Sequence, residues 1–245
     1  HGDTLALHVF QNRAPDPPQL SGAAIEVPAL AGATIAGMEL GQLDGDSAID
    51  VVILVDSALG NGRVLAALGD PSAPEGSYFS PEFVNISLGY ETFLDSALID
   101  INGSYDDLVV SGLLDGKGVL WIVERSGDGL LAWDQPTTRQ LAFPATEIAL
   151  ERFGPMAMFP DLVLLDSQSG RIETYLNMMG VFQDMPAQTT MLEGSQVSGM
   201  TLADMNCDGL IDMVFNVASP ASVQVLLGNG MGGVTGVDVL QRIGT

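Results

Sequence analysis

The chain has 245 residues, 47% of them hydrophobic, enough for one β domain or two small ones with a substantial core. Eight Lys and Arg stand against 31 Asp and Glu, a formal charge of −23 that repels nucleic-acid backbones and anionic membranes and favours bound cations. Cys207 is the only cysteine, so no intrachain disulfide can form, and no apolar run approaches the roughly 20 residues that a membrane-crossing helix needs.

Residues 1–28 hold two strand-like runs, Leu5–Phe10 and Ala23–Val27, which fit the third and fourth strands of a repeated unit. From there a pattern recurs. Four times an Asp opens an apolar strand, at Asp50, Asp107, Asp161 and Asp212, with spacings of 57, 54 and 51 residues. Each is followed by a second strand after a Gly- or Ser-rich turn: Val64–Leu68, Val119–Val123, Ile172–Leu176 and Val223–Leu227. A strand is expected before each Asp, over Gly37–Leu43, Leu94–Ile101, Thr146–Arg152 and Val197–Met205. Another is expected at each unit's end, over Glu82–Leu88, Arg139–Phe143, Ala187–Leu192 and Val234–Leu240.

Four short strands at a period near fifty describe the blade of an all-β propeller, with no stretch of helical periodicity. The expected division is a partial blade over 1–28 and four full antiparallel blades over about 29–92, 93–144, 145–192 and 193–245. Such a ring closes by completing one blade from both chain ends. The expectation is therefore a portion of a longer protein, or one completed by a partner, with Leu5–Phe10 presenting a free apolar edge.

The strongest local signal is the loop Asp204–Asp212. Asp204, Asn206, Asp208 and Asp212 occupy loop positions 1, 3, 5 and 9, with Gly209 at position 6 and the carbonyl of Leu210 at position 7. Calcium takes six to eight hard oxygen ligands, and this alternation can aim them at one centre. An EF-hand would need Glu at position 12, where Phe215 stands, and the flanks read as strands, so the expected site is a calcium-binding β-hairpin loop. The same positions in the first repeat offer Gln42, Asp44, Asp46 and Asp50, with Ser47 in place of the Gly. The second offers Asp100, Asn102 and Ser104, then Asp106 or Asp107, in a loop one residue shorter. In the third the aligned positions are Phe153, Pro155 and Ala157, and only Asp161 is kept, so that loop is expected to hold no metal.

The Asp-x-Asn-x-Asp-Gly-x-x-Asp loop, its strand, and Val225-Leu-Leu-Gly-Asn-Gly resemble FG-GAP/VCBS repeats, which also occur in integrin α-subunit propellers. The resemblance implies a propeller of up to seven blades with calcium loops on one face, secreted or at the cell surface, serving adhesion or assembly. No motif here matches an integrin ligand-binding site.

The function expected is thus non-catalytic, calcium-stabilised binding of a protein partner or membership of a larger assembly. The alternative is a propeller module of a secreted carbohydrate-active enzyme or lectin, with a glycan as ligand. Trp133 could stack on a sugar, but a lectin propeller would repeat such an aromatic in each blade, whereas Trp121 alternates with core residues. His1 and His8 are the only histidines and make a poor copper pair, and no Gly-x-Ser-x-Gly elbow marks a hydrolase. Asn85 and Asn102 head glycosylation sequons, and Cys207 reads as a small filler between two ligands.

Overall fold

The computed structural model describes the chain apart from residues 1–4, 14–18, 28–32, 58–61, 71, 73–78, 125–135, 154–156, 194, 220 and 243–245. Of residues 5–13, 19–27, 33, 57, 79–85, 195 and 237–242 only the backbone is described. Trp133, Pro155 and His1 lie outside the described residues, as do the side chains of His8 and Asn85.

Strands β1 (Leu5–Arg13) and β2 (Gln19–Val27) form a two-stranded antiparallel ribbon. Four antiparallel sheets follow, each a meander of four consecutive strands. Sheet one contains β3 (Ala33–Gly41), β4 (Asp50–Ser57), β5 (Arg63–Gly69) and β6 (Phe79–Ser87). Sheet two contains β7 (Thr92–Ile99), β8 (Asp107–Leu114), β9 (Lys117–Val123) and β10 (Thr137–Gln140). Sheet three contains β11 (Glu147–Glu151), β12 (Asp161–Asp166), β13 (Arg171–Tyr175) and β14 (Gln188–Met191). Sheet four contains β15 (Ser195–Ala203), β16 (Asp212–Ser219), β17 (Ala221–Gly228) and β18 (Val234–Arg242). The first strands of successive sheets lie side by side, β3 against β7, β7 against β11 and β11 against β15. That inner-strand-to-inner-strand arrangement is the one by which propeller blades surround an axis.

The Asp-led strands are continuously apolar because both of their faces are buried. Leu108 and Val110 of β8 pack with Val52, Leu54, Val64 and Trp121 in the core between sheets one and two, while Val109 packs with Leu162 and Leu164 toward sheet three. In β12, Val163 and Leu165 turn to the next layer, where Met213, Phe215 and Leu226 wait. Successive side chains of a strand point to opposite faces, so each second strand supplies two cores. Trp121 sits edge-on to Tyr90, ring centroids 5.9 Å apart, as its alternation suggested. The Tyr90 hydroxyl donates to the carbonyls of Val55 and Arg63, which explains why a buried tyrosine is tolerated there.

The inner strands are also latched by carboxylates. Asp56 accepts from the Phe93 N–H (3.2 Å), Asp95 from that of Ile148 (2.6 Å) and Glu147 from that of Met200 (2.8 Å). Each carboxylate thus grips the backbone of the next sheet. Burial raises the pKa of Asp95 and of Glu147, and it raises that of Glu39, which accepts from the Ser96 hydroxyl at 2.6 Å.

Most expected strands shift by a few residues at their ends, and two of the shifts have a visible cause. The inner strand of sheet one ends at Gly41 rather than Leu43, because the Leu43 N–H turns away to the Asp50 carboxylate. The outer strand of sheet two is Thr137–Gln140 rather than Arg139–Phe143. Leu141 keeps one bond to the Gly118 carbonyl, and Leu141 and Phe143 then plug the core between sheets two and three.

Candidate functional site

The loops that join the first and second strands, and those that join the third and fourth, emerge at the same end of each sheet. All of the calcium candidates lie at this end. Within each first loop the geometry is dominated by the repeated Asp. Asp212 is fully buried and accepts from the Met205 N–H at 2.9 Å and from the Gly228 N–H at 2.8 Å. Asp50 does the same with Leu43 (2.5 Å) and Gly69 (2.7 Å). Asp107 accepts from Ile101 (3.1 Å), and Asp161 from Asn177 (2.8 Å). At Asp50, Asp161 and Asp212 the carboxylate therefore braces the loop before its strand to the far end of the third strand. Gly69 and Gly228 leave room for that approach, since a Cβ there would lie 2.6 Å from the Ile49 carbonyl oxygen and 2.2 Å from that of Ile211. Burial holds the pKa of Asp50 and Asp161 above the usual carboxylate range.

Sequence reading assigned Asp50 and Asp212 to metal and did not anticipate this brace. A signal existed. Asp161 persists in the one loop with no chelating neighbours, so its retention needs a reason other than metal.

The remaining candidates form tight Asx-type turns. In the fourth loop Asp204 accepts from the N–H groups of Asp208 (3.2 Å) and Gly209 (2.9 Å), Asn206 from Asp208 (2.9 Å), and Asp208 from Leu210 (2.8 Å). Gly209 has φ +82°, and Cys207, exposed, is left-handed at φ 62°, at the loop position that Gly45 (φ +77°) fills in the first loop. In the second loop Asp100 accepts from Asn102, Gly103 and Ser104, and Asn102 from Ser104. In the first, Asp44 accepts from Asp46, and Asp46 from Ala48. Asp106, offered with Asp107 as the fourth donor of the second loop, accepts through Oδ2 from the Gln42 N–H of the first loop at 2.8 Å. The third loop is filled by Phe153, which is buried, and by the Asn177 amide, which donates to the carbonyls of Ile101 and Pro160.

The donor sets of the first and fourth loops are all hard oxygens, as calcium requires. The Gln42 Oε1 atom is buried without a hydrogen-bond partner, while its Nε2 donates to the Ala48 carbonyl of the same loop, and such an orphan oxygen is one that a cation would satisfy. Among the described residues no three Asp, Glu, His or Cys side chains stand close enough to share one ion. Any ion here would lean on amide, carbonyl and water oxygens.

No protein-family model matches the chain, and no curated protein matches it. Among solved structures it is similar to one described as BBS1N in complex with ARL6DN, soaked with mercury, with a TM-score of 0.56 and 15% identity over 96% of this chain and 68% of that one. The same complex soaked with lead gives a TM-score of 0.53 and 16% identity over 98% of this chain and 70% of that one. The likeness is one of fold. It agrees with four-stranded antiparallel sheets set as propeller blades.

Proposed function

We propose that this chain is a non-catalytic propeller that binds another protein, in an extracellular setting, with weak calcium sites in its loops. The supporting observation is the fold likeness over nearly the whole chain to a propeller whose crystal structure is described as a complex with a second protein. Interaction is also the use that the loop end suits best, since its carboxylates are bound up in turns rather than poised about a cleft. Covalent cross-linking of the purified chain in its native extract, followed by mass spectrometry, tests this reading. It expects one protein cross-linked in stoichiometric yield at the loop end, and recovery of turnover on a small substrate instead would overturn it.

Calcium belongs to the same proposal. Two carboxylates and an amide per loop correspond to a low ligand charge, the regime of dissociation constants of about 10⁻⁴–10⁻³ M. An ion bound only by the folded chain at ten times that concentration adds about 1.4 kcal/mol. Titration calorimetry of the metal-stripped chain should therefore show weak calcium binding that Asp204→Asn and Asp208→Asn reduce. No heat at millimolar calcium would refute it.

A further inference from the structure

The loop end carries something the fold does not need. Met158, Met178, Met179, Val181, Met205 and Met231 are between 48% and 88% exposed, and all of them sit on the first or second loop of sheets three and four. Neighbouring loops at this end touch. A Cβ at Gly180 would lie 2.9 Å from the Asn102 Cβ, one at Gly103 would lie 3.0 Å from the Phe159 ring, and one at Gly232 would overlap Leu176. The methionines are thus carried at one end of the sheets, on loops that pack against one another from the rim of sheet two to sheet four. Exposed apolar side chains scattered singly mean little, but a contiguous group marks a contact surface. Met179 is the most exposed and has φ 59°, a left-handed conformation that Gly or Asn adopts more readily. An apolar side chain held at such a tip does nothing for the core.

The surroundings define the partner's charge. Asp204 and Asp208 flank Met205 and are exposed, and the Asp184 carboxylate projects fully into solvent one residue before Met185. Arg139, which reaches this end, is committed to Asp184 and to the carbonyls of Phe182 and Gln183, which leaves Arg152 as the other cation there among the described residues. The whole chain carries −23. Resting on the protein-binding reading, we infer that this methionine surface docks a cationic segment of another protein, in which Leu, Ile or Phe anchors are flanked by Lys or Arg. Unbranched thioether side chains repack around varied apolar anchors, and the aspartates between them select for positive flanks. An anionic membrane is disfavoured by the same charge.

The test uses fluorescence anisotropy of a labelled 18-residue Leu/Lys amphipathic peptide, with a Leu/Glu peptide of the same pattern as control. The full chain should bind the Leu/Lys peptide in a salt-dependent manner and ignore the Leu/Glu one. The triple variant Met158→Gln, Met179→Gln, Met231→Gln should weaken binding by at least about tenfold, the scale of losing clustered anchors. All three side chains are exposed, so the variant should keep the parent melting temperature. Met191→Gln, an exposed methionine at the opposite end of sheet three, should change nothing. Equal binding by the triple variant overturns the inference, because affinity would then be diffuse charge attraction. A concentration-dependent dimer abolished in the triple variant also overturns it, since the occupant would be a second copy. So does binding to neutral phosphatidylcholine vesicles that the variant loses. If the triple variant still cross-links the protein captured by the parent, this surface is wrong while the protein-binding reading stands.

Discussion

Replacing Asp212 with alanine separates its two conceivable roles. The side chain is fully buried and satisfies two backbone N–H groups, those of Met205 and Gly228. Each buried donor left unsatisfied costs about 1–3 kcal/mol, so the loss of both comes to about 4 kcal/mol. For a chain of this size 1 kcal/mol corresponds to about 2–4 °C, which predicts a fall of about 8–16 °C in melting temperature. Asp212→Asn keeps the shape and one acceptor and should lose about half as much. The assay is thermal unfolding followed by circular dichroism, run in chelator and again in millimolar calcium. As a brace, Asp212 gives the same deficit in both conditions. A variant that melts with the parent in chelator and falls behind only in calcium would refute the brace and make Asp212 a ligand.

Three further outcomes follow from packing and charge. Burial raises the pKa of Glu39, Asp95 and Glu147 in the folded chain, so their contribution to stability is complete below the unfolded carboxylate range and is lost as pH rises through the shifted values. Melting temperature at constant ionic strength should thus be higher at pH 5 than at pH 7.5, and Glu39→Gln with Glu147→Gln should flatten that slope; a higher value at pH 7.5 would mean that the hydrogen bonds to these carboxylates outweigh their burial. Glu173, buried, accepts from Arg171 and from the Tyr175 hydroxyl, so Glu173→Leu should cost about 2–4 kcal/mol in denaturant unfolding, and adding Arg171→Met should recover part of it. A Cβ at Gly62 would sit 1.9 Å from the Tyr90 ring, which its two hydrogen bonds hold in place, so Gly62→Ala should cost about 1–3 kcal/mol and change Trp121 fluorescence through the ring contact.

The strands were legible because each second strand faces two cores. Val51–Val55, Leu108–Val110 and Leu162–Leu165 are unbroken apolar runs, and the Gly-rich turns between them admit little but hairpins. Strand ends were less legible where a side chain takes a backbone partner. Nothing in the residue order says that Leu43 will serve the Asp50 carboxylate, or that Leu141 will leave the ladder to fill a core. The loops were legible as turns, since Gly209 and Gly45 mark positive φ, but not as contacts. Asp106 reads as a local loop residue, yet it accepts from the Gln42 N–H, 64 residues away. The methionine surface was invisible for the same reason, because its members are scattered over four loops and only the meander brings them to one end.

The third sheet shows why brace and chelation are separable. Its loop has lost every oxygen donor of the fourth loop except Asp161, and Phe153 fills the space with a buried ring. Yet Asp161 still reaches the end of the third strand, through the Asn177 N–H, and Asn177 in turn ties the Ile101 carbonyl of the preceding sheet and accepts from the Gly180 N–H at 2.7 Å. A loop stripped of donors therefore keeps the same topology with a hydrophobic filler and an amide in place of an ion. Metal in the first and fourth loops would accordingly adjust the stability and shape of the loop end rather than decide whether the sheets form. Of the exposed methionines only Met205 lies on a loop proposed to hold calcium, so any coupling of ion concentration to docking would act through that residue. The Asp204–Asp208 segment that would hold the ion carries Met205 within it, so saturation with calcium should lower the ordering cost of that anchor before any partner arrives.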